Sequence, residues 1–229
     1  MVFEKMYEDN VKQYEEKFAC GYGLQYPDGH VIRFNKKVLE SQFGLTSGNV
    51  LDYGCGSGIH AKYFADNGFT LFGCDVVASA IEDCKKLLPE FADNFCCIPP
   101  LPTNLKELFG GTRFDLVFSN QVLYYLNDAD IRKVVAQLYG LAKPGAVFYA
   151  SMMSRDSYYF KRVKETVGGM SKVVLDGRLK ESMYINFKSA EELPGLFKPF
   201  SKFYVGGYGM DFRADEGADD HRLFVGVKK

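Results

Sequence analysis

VLDYGCGSGIH, residues 50–60, is the stretch whose reading decides the fold. An apolar run enters Asp52, glycine then stands at positions 54, 56 and 58, and a helical pattern opens at Ile59. Glycine has no Cβ to hold a ligand off the backbone and adopts positive φ freely. Gly54, Gly56 and Gly58 therefore predict a strand-to-helix turn whose amides approach a polar ligand. A second apolar run, TLFGCD at 70–75, ends in Asp75, 17 residues beyond Gly58. That is close to the spacing of about 20 at which a carboxylate after the second strand reaches the ribose of an adenosine-containing cofactor.

Outward from this pair, strand-like and helix-like patterns alternate. The runs at 49–53, 70–74, 95–98, 114–119 and 146–152 are mostly apolar throughout, the pattern of strands covered on both faces. Helical patterns lie between them at 59–67, closed by Gly68, at 79–88, closed by Pro89, and at 128–142, closed by Pro144 and Gly145. In the last, Ile131, Val134, Val135, Leu138 and Ala142 share one face. Repeated βαβ order with right-handed crossovers predicts an α/β fold: a doubly wound, mostly parallel, seven-stranded Rossmann-like sheet with helices on both faces. The ligand crevice then lies at the carboxyl ends of the strands. Residues 154–198, rich in Tyr, Lys and Gly, read as an insertion. The runs 202–208 and 221–228 read as a closing antiparallel hairpin across an exposed acidic turn at 210–220. One domain is expected, with a helical cap at 1–45, a cofactor-binding core at 49–152, a substrate or lid insertion at 154–198 and closing strands at 200–229.

Length and charge narrow the partners. A chain of 229 residues suits a single core. Its 28 basic and 29 acidic side chains lack the basic footprint of a nucleic-acid binder, leaving a small molecule as the expected partner. The first residues are charged and amphipathic, and no apolar run approaches the ~20 residues of a membrane span, so a cytoplasmic protein is expected. Six cysteines without a CxxC pair, mostly inside apolar runs, read as buried free thiols. With three histidines that lack ligand spacing, no metal site is expected.

Residues 51–60 with Asp75 resemble motifs I and II of the class I S-adenosylmethionine-dependent methyltransferases. The spacing is GxGxG with an acid two residues before the first glycine, where the dinucleotide fingerprint has GxGxxG. FDLVFSNQVLYYL at 114–126 resembles the fourth strand and following loop of that family, and LAKPGAVF at 141–148 its helix end and fifth strand. The resemblance implies S-adenosylmethionine as cofactor. It places Gly54, Gly56 and Gly58 around the methionine moiety, Asp52 near its amino group, Asp75 on the ribose with Val76 beside it, and Asn120 and Gln121 at the methyl-donor end. Where many relatives carry an acid after the third strand to hold adenine, this chain has CCIPP at 96–100. YPDGHVIR at 26–33 and GRLKESMYINF at 177–187 are similar to a bacterial group whose genes often accompany polysaccharide or small-molecule biosynthesis. The implied reaction is O- or N-methylation of a small polar metabolite, with sugars and polysaccharide precursors among the acceptors.

Methylating a hydroxyl requires a proton acceptor, and histidine suits that task near neutral pH. His30, in the Pro27-Asp28-Gly29-His30 turn, and His221, after Asp219 and Asp220, are the catalytic candidates, each set against a structural use. His60 reads as packing or cofactor-adjacent. Arg33 offers a guanidinium fork to the cofactor's carboxylate, or an ordinary surface ion pair. Tyr158, Tyr159 and Tyr184, with Tyr124 and Tyr125, could wall an acceptor pocket or pack in the core. Two other classes stay open: a non-catalytic S-adenosylmethionine-binding scaffold, and an NAD(P)-dependent oxidoreductase, against which the glycine spacing counts. A monomer or homodimer is expected.

Overall fold

A computed structural model of the chain describes all residues except Met1, Tyr22, Leu24, Pro102, Thr103, 177–179 and 212–217, and the side chains of Asp176 and Lys180. The first three residues of the 177–187 motif and most of the acidic turn at 210–220 lie outside the described residues. In chain order the principal elements are α1 (Val2–Ala19), α2 (Gly29–Phe34), β1 (Gly48–Tyr53), α3 (Ile59–Asp66), β2 (Phe69–Asp75), α4 (Ala78–Leu87), β3 (Phe95–Cys97), β4 (Phe114–Ser119), α5 (Asp128–Leu141) and β5 (Ala142–Met153). There follow β6 (Val163–Val167), β7 (Met170–Asp176), β8 (Lys180–Ile185), β9 (Ser201–Met210) and β10 (Asp219–Val227).

Seven strands form one sheet in the order β3-β2-β1-β4-β5-β10-β9. The first five run parallel, and β10 pairs antiparallel with both β5 and β9. The apolar runs become strands because each face meets its own core. Leu51 and Val117 pack in one cluster with Ile131, Val134 and Leu138 of α5. Their neighbours Val50, Leu116 and Phe118 pack in another with Ala61 and Phe64 of α3 and Ile81 and Cys84 of α4. Successive residues of a strand point to opposite faces, so a strand buried on both must be apolar at every position. Winding reverses between β1 and β4, which opens a crevice at their carboxyl ends.

The insertion is more regular than its sequence pattern. Strands β6, β7 and β8 form a separate three-stranded antiparallel sheet. Gly168 and Gly169, both at positive φ (57° and 85°), make the two-residue turn between β6 and β7, the backbone signature of a tight hairpin. Helix α1 lies along the edge of this sheet. The Asn10 amide donates to the Tyr184 carbonyl (3.0 Å) and accepts from its N–H (2.8 Å), while Gln13 Oε1 accepts from the Ser182 N–H (3.0 Å). A helix thereby satisfies edge-strand groups that would otherwise need another strand. The nearly buried Lys17 ammonium sits 2.6 Å from Glu181.

Of the cysteines, Cys55, Cys74 and Cys84 are buried and Cys96 half-buried, whereas Cys20 and Cys97 are exposed. Among the described residues no helix is long and apolar enough to cross a membrane, and no group of three or more His, Cys, Asp or Glu is placed to hold a metal ion.

Candidate active site

A cavity of about 510 Å³ opens at the carboxyl ends of β1, β2 and β4. Its floor is the backbone of Gly54, Cys55, Gly56 and Ser57. Asp75, Val76 and Ile98 form one end, and Asn120, Gln121, Asp28, His60 and Asp219 the other. The roof is helix α1, which turns Tyr7, Asn10, Val11, Tyr14 and Phe18 inward; the spacing of these residues puts them on one helical face.

The three glycines differ in what they do. A Cβ on Gly54 would lie 2.2 Å from Val122 Cγ2, and one on Gly58 would lie 2.5 Å from Cys84 Sγ. Both positions hold positive φ, 82° and 85°, so these glycines let the turn pack against its own protein. Only Gly56 faces open space, its nearest neighbour being Phe18 at 3.9 Å. The sequence reading assigned all three to ligand approach; Gly54 and Gly56 stand on the cavity floor and Gly58 does not, and at Gly56 alone an added Cβ would enter open space.

Asp75 stands at the end of β2 and accepts from the Gly56 N–H through one oxygen and the Val77 N–H through the other, both at 2.9 Å. A carboxylate has about four lone-pair sites, so two remain for a ligand hydroxyl. Burial raises the Asp75 pKa and the two amide bonds oppose that rise. Asp52 is 2% exposed and its Oδ2 has no hydrogen-bond partner. Burial pushes it up to about 7, with His60 lowering and Asp75 adding to the rise. An orphaned carboxylate oxygen behind the glycine turn suits an ammonium placed nearby, although Asp52 is not itself on the cavity wall. The described residues thus fit an adenosine cofactor with an amino-acid tail: bare backbone at Gly56, a free side of Asp75, and an unmatched acid.

At the other end the chain after β4 is held in a strained shape. Gln121 has φ 60°, and among the described residues it is the one non-glycine at positive φ. Such strain persists where surrounding bonds enforce it. Gln121 N–H donates to Ser151 Oγ (2.7 Å), and its Nε2 donates to the Tyr208 hydroxyl (3.2 Å). Asn120 Oδ1 accepts from Ser151 Oγ (3.0 Å) and lies 3.1 Å from His30 Nε2. An amide oxygen only accepts, so His30 carries its proton on Nε2. The Tyr208 ring is stacked between His30, 3.6 Å away at 11°, and His221, 5.1 Å away at 11°. Tyr208 was not a sequence candidate: it lies 87 residues from Gln121, and no local pattern links the two.

The expected histidines stand behind the wall rather than on it. His30 reaches the cavity only through Asn120. His221 is 1% exposed, neither ring nitrogen has a hydrogen-bond partner, and its Nδ1 lies 3.4 Å from Asp219. Burial and the nearby His30 push it down to about 3, and burial also lowers His30. His60 does line the cavity, and its Nε2 accepts from the Asp28 N–H at 3.3 Å. Burial alone would raise the Asp28 carboxyl, but the nearby His60 ring, with His30 and His221 behind it, outweighs burial and holds it below the usual range. Arg33 lies on the exposed side of α2, off the cavity wall. The insertion's tyrosines also miss the wall. Tyr158 and Tyr159 meet each other in a tilted ring contact, Tyr184 bonds Asn10 through its backbone, and Tyr124 is in the core; of the expected five only Tyr125 lines the cavity.

A family model described as "Methyltransferase domain" matches residues 28–200, well over half of the chain. An uncharacterised methyltransferase of Synechocystis sp. is 28% identical over 125 residues, 55% of this chain and 56% of that protein. A ubiquinone biosynthesis O-methyltransferase of Vibrio parahaemolyticus is 30% identical over 157 residues, 66% of this chain and 65% of that protein. The chain thus matches just over half the length of the first of these relatives and about two thirds of the second. The solved structure of an S-adenosylmethionine-dependent methyltransferase from Clostridium acetobutylicum shares the fold, with a TM-score of 0.67 at 13% identity over 93% of this chain and 98% of that one. The chain belongs to this methyltransferase-domain family, in the class I S-adenosylmethionine-dependent group whose motifs its sequence resembles.

Proposed function

We propose that the protein transfers a methyl group from S-adenosylmethionine to a hydroxyl or amine of a small polar acceptor, a sugar or sugar-derived precursor among them. The observation that carries this reading is the single cavity wall on which the bare backbone at Gly56 is tied to Asp75 by a hydrogen bond, with the strained Asn120-Gln121 segment facing it from β4. When bound, the cofactor supplies a methyl carbon already activated by its sulfonium. Asp75 and the Gly56 backbone fix the adenosine and methionine ends, Asp52 acts on the ammonium through its field from behind the glycine turn, and Ile98 and Val76 give an apolar seat where this chain lacks the adenine-binding acid. Asn120 and Gln121, clamped by Ser151 and Tyr208, orient the acceptor, and helix α1 excludes water from it. His30 and His221 act here as positioning residues, because neither touches the cavity. The near-neutral net charge supports a small acceptor over a nucleic acid.

Calorimetric titration with S-adenosylmethionine and S-adenosylhomocysteine tests the reading. Both ligands bind the wild type, and Asp75→Ala weakens both by about tenfold or more, as expected for loss of hydrogen bonds to a charged group. No heat at millimolar ligand, or full affinity in Asp75→Ala, refutes it.

A further inference from the structure

The acceptor end of the cavity has a charge that the donor does not require. Asp28 and Asp219 both reach the wall there, beyond Asn120, and no Lys or Arg is among the described residues that line the cavity. Asp28 keeps a partner in His60, 3.4 Å away. Among the described residues Asp219 has only the ring of His221, at 3.4 Å, and the neighbouring Arg222 is engaged by Asp156 and Asp220. Behind Asp219, His221 is fully buried with both nitrogens unmatched, so no cation among the described residues neutralises this carboxylate. An anionic wall with an unmatched acid at its mouth attracts a cation and repels acids.

Resting on the methyl-transfer reading above, we infer that the acceptor is a small primary or secondary amine, recognised as its ammonium by Asp219 and relieved there of a proton before it is methylated. One N–H proton passes to the Asp219 carboxylate and on to solvent through the mouth, where that side chain is 49% exposed. The nitrogen lone pair so freed forms the N–C bond while the C–S bond breaks and its electron pair stays on sulfur. The product leaves as a methylated ammonium. Burial, Asp28 and Asp220 together push Asp219 up to about 6, within reach of proton exchange near neutrality.

The test is transfer of radiolabelled methyl from S-adenosylmethionine by the full chain to matched pairs: amino sugars against their parent sugars, and short alkylamines against the alkanols. Label is expected in the amines. Asp219→Asn is expected to raise the KM for the amine about tenfold or more, to leave S-adenosylhomocysteine affinity within twofold, and to be rescued in part by Asp219→Glu. Label confined to hydroxyls, cofactor binding with no amine accepted at millimolar concentration, or an unchanged KM in a folded Asp219→Asn protein overturns the inference. A wild type that binds no S-adenosylhomocysteine overturns the donor reading beneath it.

Discussion

At the scale of single residues, two buried groups tilt stability in opposite directions with pH. Asp52 has a folded pKa of about 7, raised by burial. Between the ordinary carboxyl range and 7 the unfolded chain has lost this proton and the native state has kept it, so native stability falls as pH rises through that window. His221 is pushed down to about 3. Below the ordinary imidazole range the unfolded chain gains a proton that the native state refuses, so stability is lost as pH falls from about 6.5 towards 3. Each pKa unit is about 1.4 kcal/mol, and for a chain of this size a kcal/mol is worth roughly 2–4 °C in Tm. Asp52→Asn is therefore expected to raise the Tm of the ligand-free protein at pH 8 by several degrees and to gain little at pH 5, while His221→Phe gains at pH 5 and not at pH 8. Thermal melts across pH check both slopes. Tyr208 supplies a third case: Phe keeps the ring between the two imidazoles and removes the hydroxyl that receives Gln121 Nε2. Tyr208→Phe should lower kcat about three- to tenfold, the usual worth of one hydrogen bond, with S-adenosylhomocysteine affinity unchanged; an unchanged kcat removes Tyr208 from the clamp.

At the scale of elements, the glycine turn separates packing from binding. Gly58→Ala drives a Cβ to 2.5 Å from Cys84 Sγ at φ 85°, and Gly54→Ala drives one to 2.2 Å from Val122. Overpacking costs about 1–3 kcal/mol and positive φ adds about 1–2 kcal/mol. Gly56→Ala carries only the φ cost and puts its methyl into the cavity. Melting temperature is thus expected to drop most for Gly54→Ala and Gly58→Ala, whereas Gly56→Ala loses cofactor binding with a smaller drop in melting temperature. The strand–turn–helix itself was legible because its signals are local: an apolar run, three glycines and Asp75 fix β1, α3 and β2 nearly to the residue. The same holds for β4 and α5, whose apolar periods report burial on each face directly, whereas β5 begins at Ala142, four residues before the apolar run at 146–152, and takes in Pro144 and Gly145. The small sheet at β6 to β8 was not read, although Gly168-Gly169 between two short runs is a hairpin signal. β6 buries almost nothing, and β7 and β8 bury only scattered apolar residues, Met170, Val173, Met183 and Ile185, among the Lys, Ser and Glu of those runs, so apolar periodicity had little to report. What no local pattern carries is which distant groups meet, such as Tyr208 with Gln121 or His221 with Asp219.

At the scale of the whole molecule, the helical cap expected at 1–45 supplies the roof, and the insertion expected to be a lid lies beside it. No described residue of 154–198 lines the cavity; α1 does, and the small sheet serves as the clasp that holds it. Tyr7 anchors one end of α1, its hydroxyl donating to Asp130 (2.8 Å) and accepting from Asn127 (2.7 Å) at the start of α5. Gln13 and Lys17 fasten the other end to Ser182 and Glu181. A ligand enclosed under α1 leaves when the helix lifts, and lids of this kind often set the rate of release. Glu181 and Gln13 are off the cavity wall, so changing them alters the clasp without altering ligand contacts. In the double variant Gln13→Ala/Glu181→Ala, the 6%-exposed Lys17 loses its carboxylate, and the opening equilibrium shifts by about 1–3 kcal/mol. If opening precedes release, S-adenosylhomocysteine dissociation accelerates about fivefold or more, since 1.4 kcal/mol is a factor of ten. Amide exchange should quicken in α1 and at Ser182 while β1 and β4 keep their protection. Stopped-flow release and hydrogen exchange read the two together: faster exchange with an unchanged release rate means that the ligand passes α1 without lifting it, and the clasp is then structural only.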